Sequence, residues 1–144
     1  MKTQNKQIGQ IGEQLAADYL KHKGYKILDR NWGSKFGEID IICSCYSRNE
    51  RYNTPGVKGN LSPHQVCINQ SVSGVIVFVE VKTKIGDQFG SPEQMVTSRK
   101  LAQIQRMASQ YFLAVDKAKR IDVVAIVINH DHKLVRLNHY EAVY

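Results

Sequence analysis

Three polar side chains interrupt otherwise apolar stretches of this 144-residue sequence. Asp40 is the one polar residue in segment 39–42. Glu80 and Lys82 are the two polar residues in segment 77–82. An ionised side chain in a strand that is buried on both faces is costly unless it is paired or binds a metal. These three residues are therefore the first candidates for chemistry.

Their types indicate a divalent cation and phosphate chemistry. Two neighbouring carboxylates repel each other, and one takes up a proton unless a cation lies between them. Carboxylate oxygens suit a hard ion such as Mg²⁺ or Mn²⁺, which polarises phosphoryl oxygens and lowers the pKa of bound water. Lys82 shares a strand face with Glu80, because strand side chains alternate, and its ammonium group would offset negative charge on a reacting phosphate.

An alternative explanation is a salt bridge between Glu80 and Lys82 at a strand end, with no chemistry attached. Glu80-Val81-Lys82 is the only Glu-x-Lys in the sequence. Asp131 and Lys133 have the same spacing, but they fall in a predicted turn with no buried strand around them. The combination of Asp40, Glu80 and Lys82 therefore favours a metal-dependent hydrolytic site over an incidental ion pair.

The elements that position these residues follow the order helix, three strands, helix, strand, with one small strand after it. The spacing of the apolar residues predicts each helix and strand, and Gly24 marks the end of the first helix. A meander of three strands and a helical crossover to the fourth predict an α/β fold with a mixed central sheet flanked by helices. The predicted helices cover residues 5–23 and 91–115, the second with a break near Thr97, and the predicted strands cover 25–32, 37–45, 75–83, 121–128 and 134–137.

Periodicity also assigns faces to these elements. Alternation places Asp40 on the same strand face as Glu38 and Ile42, opposite a face of Ile39, Ile41 and Cys43. Because the second and third strands are neighbours, Asp40 can lie beside Glu80 at cross-strand distance. The buried stripe predicted for the second helix contains Leu101, Ile104, Ala108, Tyr111, Phe112 and Val115.

Residues 47–74 are polar and rich in Gly and Pro, which predicts a flexible insertion at a hairpin tip within a single domain spanning 1–144. Cys43, Cys45, His64 and Cys67 raise the alternative of a zinc site here. The Cys-x-Cys spacing is poor for structural zinc, so reduced thiols are the favoured interpretation.

The charge balance favours a polyanionic partner. The formal net charge is +7 and the sequence pI is about 9.4, which favours nucleic acid first and acidic membranes second. The N-terminus lacks the apolar segment of a secretory signal, and no apolar run is long enough to span a bilayer, so we expect a cytoplasmic protein that does not enter a membrane.

Basic residues near the proposed site are candidates for sequence-independent contacts with nucleic-acid phosphates. A solvated, charged surface is the alternative for this set. Trp32 and Tyr25 could stack on bases, although packing in the core explains them equally well. The candidate nucleic-acid-binding residues are Arg30, Lys35, Lys84, Arg99, Lys100 and Arg106.

Short motifs along nearly the whole chain outside the insertion resemble the YraN-like family, in the same order. The resemblance implies an endonuclease similar to archaeal Holliday-junction resolvases, within the PD-(D/E)XK nuclease superfamily. The motifs are Gly12-Glu13, Gly24-Tyr25, Arg30-Asn31, Gly37-Glu38-Ile39-Asp40, Phe78-Val79-Glu80-Val81-Lys82, Phe89-Gly90-Ser91-Pro92 and Arg120-Ile121-Asp122-Val123-Val124.

This resemblance implies a restriction-endonuclease-like αβββαβ core and a Mg²⁺- or Mn²⁺-dependent endonuclease that acts on structured or branched DNA. It makes Asp40 and Glu80 metal-binding acids, Lys82 the catalytic lysine, and Glu13 a further acid that joins the site from the first helix. It also implies a homodimer. From the residues alone, Glu13 is equally a solvated surface acid, and a catalytically inactive nucleic-acid-binding module on the same fold is the alternative function.

Overall fold

A computed structural model describes residues 2–45, 74–86 and 92–143 of the chain. The predicted insertion lies outside the described residues apart from Gly74, as do Ser91, His64 and Cys67. The helices are α1 (Lys2–His22) and α2 (Ser98–Ala108), and the strands are β1 (Lys26–Ser34), β2 (Gly37–Cys45), β3 (Val75–Ile85), β4 (Lys119–Ile128) and β5 (Leu134–Tyr140).

The strands form one five-stranded sheet in the order β1-β2-β3-β4-β5. β1, β2 and β3 pair antiparallel as a meander, β3 and β4 pair parallel, and β5 pairs antiparallel with β4. The predicted α/β fold class, with a mixed sheet flanked by helices and a restriction-endonuclease-like order of elements, is therefore confirmed. Within the described ranges, no helix is long and apolar enough to cross a membrane.

Two apolar cores lie on opposite faces of this sheet. On one face, Leu20 of α1 packs with Ile41 and Val79 of the central strands. On the other face, Ile104 of α2 packs with Phe78 of β3. β3 and β4 are apolar on both faces because each lies inside the sheet and is covered by a helix on either side.

α2 is shorter than the sequence predicts. The break near Thr97 is confirmed, because Thr97 is the N-cap of α2 and its hydroxyl accepts a hydrogen bond from the backbone N–H of Lys100 at 3.2 Å. The helix ends at Ala108, and separate 3₁₀ turns cover Pro92–Met95 and Phe112–Ala114.

The prediction that Phe112 and Val115 belong to the buried stripe is wrong. Both side chains are more than half exposed, whereas Ile104, Ala108 and Tyr111 are buried as predicted. The helical periodicity that aligned these residues is lost where α2 ends, so positions beyond Ala108 no longer follow the helix face. The chain then re-enters the core through Tyr111.

The buried acid Asp122 of β4 holds the C-terminal segment against the sheet. Arg120 donates to both of its carboxylate oxygens at 2.8 Å, His139 lies 2.8 Å from Oδ2, and the Ala142 N–H donates to Oδ1 at 2.9 Å. Burial alone would raise the pKa of Asp122, but the hydrogen bonds from His139, Arg120 and Ala142 outweigh it and hold the pKa below its usual value. Asp122 is thus paired with Arg120 in the folded protein.

Gly12 of α1 lies directly against the side chain of Thr83 in β3. A Cβ atom at this position would overlap the side chain of Thr83, whereas a Cβ atom at Gly9, one turn earlier in α1, would meet no atom within 4 Å. The absence of a side chain at position 12 therefore fixes the distance between α1 and the sheet, and with it the position of Glu13.

We expect Gly12→Ala to lower the free energy of unfolding by about 1–3 kcal/mol, because β3 or α1 must shift to accommodate the methyl group. Gly9→Ala should instead be neutral or stabilising by up to about 1 kcal/mol, since alanine is the better helix former. Urea unfolding followed by circular dichroism measures both. A Gly12→Ala protein as stable as Gly9→Ala would contradict the close packing.

Candidate active site

Asp40 lies where β2 and β3 stop pairing. The antiparallel register between these strands ends at Ile41 opposite Val79. One position further, Oδ2 of Asp40 accepts a hydrogen bond from the backbone N–H of Val81 at 2.7 Å. The carboxyl group thus takes the place of a backbone acceptor and is anchored on β3 beside Glu80.

This contact accompanies a departure from the predicted alternation of β2. Ile41 and Cys43 both belong to the core on the α1 face, as predicted. Ile39, however, packs with Ile42 in the core on the α2 face. The prediction that Ile39 shares a face with Ile41 is therefore wrong. The ladder between β2 and β3 ends at this point, although β2 still pairs with β1 as far as Gly37, so β3 no longer holds the side chains of β2 to a strict two-residue period.

Glu80 lies on the α2 face of β3 and is almost fully buried, at 1% exposed. Its Oε1 is 2.6 Å from Nζ of Lys82, and its Oε2 is 3.2 Å from Nζ of Lys100 of α2. The ion pair between Glu80 and Lys82 predicted by the alternative explanation is thus present. Its carboxylate, however, lies inside the sheet rather than at an exposed strand end.

Asp40 lies beside Glu80, because its carboxyl group accepts a hydrogen bond from the backbone of the next residue of β3, Val81. Burial, and after it the negative charge of Glu80, raises the pKa of Asp40 from its usual value of 3.8 to about 7. The hydrogen bond from Val81 and the positive charge of Lys100 lower the pKa, and the charge of Glu13 raises it slightly. Asp40 therefore lies within electrostatic reach of both other candidate acids.

Glu13 reaches this region from the opposite face of the sheet. Its Oε2 accepts a hydrogen bond from the side-chain amide of Asn31 at 2.8 Å, and the side chain is partly exposed. Asn31 has a positive φ of 49°, an uncommon conformation that asparagine tolerates better than most residues. Glu13 is thus held near Asp40 by an amide of β1 rather than directed toward Glu80.

The acids present fit a hard divalent cation. Within residues 2–45, 74–86 and 92–143, no three His, Cys, Asp or Glu side chains are gathered closely enough to form a metal cluster. Mg²⁺ usually binds through only one or two carboxylates and completes its coordination with water and substrate phosphate oxygens. Asp40 and Glu80 supply two such groups, and burial together with the charge of Glu80 raises the pKa of Asp40.

The structure groups some of the candidate basic residues and separates others. Lys100 contacts Glu80 itself, as described above. Nζ of Lys35 and the guanidinium carbon of Arg106 lie 5.1 and 5.3 Å from the centre of the Phe36 ring, within cation–π distance. Lys84 shares the α2 face of β3 with Glu80, because alternate strand residues share a face.

Two other candidate basic residues lie outside this grouping. Arg30 donates to the side-chain oxygen of Gln14 at 3.0 Å, beside α1, and Arg99 is exposed on the first turn of α2. Arg30 is thus separated from the basic residues on the α2 face.

Trp32 and Tyr25 pack within the protein. Trp32 makes an edge-to-face contact with Tyr111 at 5.4 Å, and Tyr25 is buried and accepts a hydrogen bond from Arg120 at 2.8 Å. Both rings are therefore engaged in the core, and the alternative of core packing is the one that the structure supports. Cys43 is likewise buried and unoxidised.

Comparison with known proteins places the chain in a family. The profile of Uncharacterised protein family UPF0102 matches residues 12–126, which contain all four candidate site residues. The chain belongs to this family. It is the YraN-like family that the motifs resemble, so that prediction is confirmed.

Relatives within the UPF0102 family match over nearly their full length. A UPF0102 protein of Alkaliphilus oremlandii is 37% identical over 142 residues, covering 95% of this chain and 97% of the relative. A UPF0102 protein of Syntrophomonas wolfei is 34% identical over 138 residues, covering 94% and 95%. One of Clostridium botulinum is 36% identical over 129 residues, covering 87% and 83%.

Sequence reasoning placed Lys100 among the phosphate contacts and missed its ion pair with Glu80. A signal for it exists, since Lys100, Ile104 and Met107 recur at helical spacing and so share the face of α2 that is buried against the sheet. A lysine on a buried face requires an anionic partner, and Glu80 is the buried acid on the facing strand.

The raised pKa of Asp40 predicts how stability depends on pH. The folded protein holds this proton up to about pH 7, whereas the unfolded chain releases it near pH 4, so stability falls as pH rises between those values. At pH 8, Asp40→Asn should raise the free energy of unfolding by on the order of 1–3 kcal/mol, and at pH 4 the difference should nearly vanish.

Urea unfolding at pH 4, 6 and 8 measures this dependence, with and without Mg²⁺. The ion should stabilise the wild type at pH 8 more than the Asp40→Asn variant. Asp18→Asn, at an exposed position of α1, serves as the control and should show no such trend. A gain from Asp40→Asn that is equal at pH 4 and pH 8 would count against a buried, repelled carboxyl group.

Proposed function

We propose that this protein is a Mg²⁺- or Mn²⁺-dependent endonuclease that hydrolyses phosphodiester bonds in structured or branched DNA. The observation that supports this most is a pair of carboxyl groups on adjacent strands, the partly buried Asp40 and the buried Glu80, with the ammonium group of Lys82 at 2.6 Å from the carboxylate of Glu80. An acid whose pKa is raised by burial and by a neighbouring acid is destabilising in a purely structural role, and such groups are concentrated at functional sites.

Each of these residues has a role in the proposed reaction. Asp40 and Glu80 would hold the divalent ion, which would polarise a phosphoryl oxygen and supply a water molecule of lowered pKa. Lys82 would offset the negative charge that develops on the phosphate as the water attacks. Glu80 would orient Lys82 for this role, because the ion pair between them holds the ammonium group beside the carboxylate.

Glu13 is the fourth proposed member of the site. Its negative charge already acts on Asp40, and α1 holds it in place through the close contact of Gly12 with Thr83. Its hydrogen bond with Asn31 would have to open for Glu13 to reach a metal ion or a water molecule. We therefore assign Glu13 an auxiliary part, with a smaller effect on rate than Glu80.

DNA would be bound through its phosphates. The net charge of +7 favours a polyanion, and Lys35, Arg106 and Lys84 supply positive charge on the α2 face of the sheet. Such contacts fix the position of a nucleic acid without selecting a base sequence. The protein would therefore recognise the shape of the DNA backbone, which agrees with the proposed preference for branched substrates.

A cleavage assay on branched, single-stranded and duplex DNA tests this function. We expect Mg²⁺ or Mn²⁺ to support cleavage, a chelator to abolish it, and Glu80→Gln or Lys82→Met to reduce the rate by about 100-fold or more. Asp131→Asn is the matched control, because Asp131 and Lys133 form the same acid-x-lysine pattern in an exposed turn. That variant should cleave at the wild-type rate.

Two results would contradict the proposal. Undiminished cleavage by Glu80→Gln would place the reaction elsewhere. Salt-sensitive binding without cleavage of any substrate, by a protein that unfolds cooperatively, would favour the nucleic-acid-binding module instead. RNA versions of the same substrates in parallel assays distinguish a preference for DNA from general phosphodiesterase activity.

A further inference from the structure

Lys100 of α2 makes three contacts that bring it into the candidate site. Its Nζ lies 3.2 Å from Oε2 of Glu80 and 3.4 Å from the backbone oxygen of Glu38, and its charge lowers the pKa of Asp40. Lys82 is bound to the other oxygen of the Glu80 carboxylate. Two ammonium groups from different elements therefore surround one buried carboxylate.

The two lysines are held differently. Lys82 is two residues from Glu80 on the same strand, and its 2.6 Å contact is short. Lys100 reaches across from α2, and its contact is longer. Although Nζ of Lys100 is within ion-pair distance, no group in the described part of the chain gives Oε2 of Glu80 a well-directed hydrogen bond. Lys100 is thus the more easily displaced of the two partners.

A divalent cation would change this balance of charge. With Asp40 ionised, the two carboxylates and the two ammonium groups sum to zero, so an added ion of charge +2 leaves the cluster strongly positive. Like charges a few ångströms apart in a buried site repel each other by several kcal/mol. The long, flexible side chain of Lys100 is one-quarter exposed and can move its ammonium group toward solvent.

We propose that Lys100 and a divalent cation compete for Glu80, and that the displaced ammonium group of Lys100 then binds a phosphate group of nucleic acid. The competition for Glu80 involves only the protein and the cation, whereas the phosphate contact rests on the proposed nuclease function. In the metal-free protein Lys100 substitutes for the cation at Oε2 and stabilises the buried acid. In the loaded protein it is a phosphate-binding residue.

The surroundings of Lys100 suit this second role. The Thr97 cap fixes the first turn of α2, so the backbone at Lys100 stays in place while the side chain moves. Arg106 lies six residues further along α2, about 9 Å at the helical rise, and lies with Lys35 over Phe36. A displaced Lys100 would therefore add positive charge to this part of the surface, near Lys35 and Arg106.

The exchange can be tested on the wild-type protein by acylating its lysines with a water-soluble ester and mapping the products by mass spectrometry. An ammonium group held by a buried carboxylate is protected, so Mg²⁺ or Mn²⁺ should increase the labelling of Lys100 by about threefold or more, and that of Lys82 less. Labelling of Lys21, exposed on α1, is the internal control and should not respond. Unchanged labelling of Lys100 when metal binds would overturn the proposal.

Calorimetric titration with Mn²⁺ provides the second measurement. Lys100→Met should bind the ion more tightly, by on the order of tenfold, because the competing charge is gone. Lys21→Met removes the same charge from an exposed position of α1 and should leave the affinity within about twofold. Mn²⁺ affinity in Lys100→Met equal to or weaker than that of the wild type would contradict the competition.

DNA binding tests the phosphate contact. The slope of log affinity against log salt should fall by about one in Lys100→Met when Mn²⁺ is present, and should not change in chelator, where Glu80 holds Lys100. An equal change in both conditions would overturn the released contact. Release of Lys100 without cleavage of any DNA would leave the exchange standing and refute only the nuclease function, whereas a wild type that binds no Mn²⁺ would refute both.

Discussion

The repulsion between the buried carboxyl group of Glu80 and the partly buried one of Asp40 is the constraint around which this end of the sheet is organised. Asp40 and Glu80 lie on adjacent strands, and burial together with the charge of Glu80 raises the pKa of Asp40 to about 7. Lys82 and Lys100 partly offset the negative charge. A sheet selected only for stability would place apolar side chains here, because a well-packed apolar group avoids the desolvation cost that ions carry.

Several features away from these acids maintain their positions. β2 and β3 stop pairing at Ile41, which frees the N–H of Val81 to bind Asp40. Gly12 lets α1 contact β3, and the cap at Thr97 sets the start of α2.

The two buried acids Glu80 and Asp122 differ in their hydrogen bonding. The network around Asp122 anchors the C-terminal segment on the α1 face. Asp122 has a full set of hydrogen bonds, whereas Oε2 of Glu80 has only a charged neighbour among the described residues.

The order of elements and the face of Glu80 could be predicted from the sequence because strong apolar patterns specify them. The end of α2 and the face of Ile39 could not, since each depends on where a hydrogen-bonded ladder or helix stops rather than on local composition. The approach of Asp40 to Glu80 followed from the strand order, but its bond to Val81 is a tertiary contact without a local signal. Lys100 was placed on the right helix, and only the packing of that helix on β3 showed its carboxylate partner.

The position of a bound ion tests the central claim most directly. Crystals of the protein grown with Mn²⁺ and measured near the manganese absorption edge would give an anomalous difference map. A peak between the carboxyl groups of Asp40 and Glu80, within about 2.5 Å of an oxygen of each, is the predicted result. A fully occupied Mn²⁺ site elsewhere, with Lys82 and Lys100 both still bound to Glu80, would contradict it.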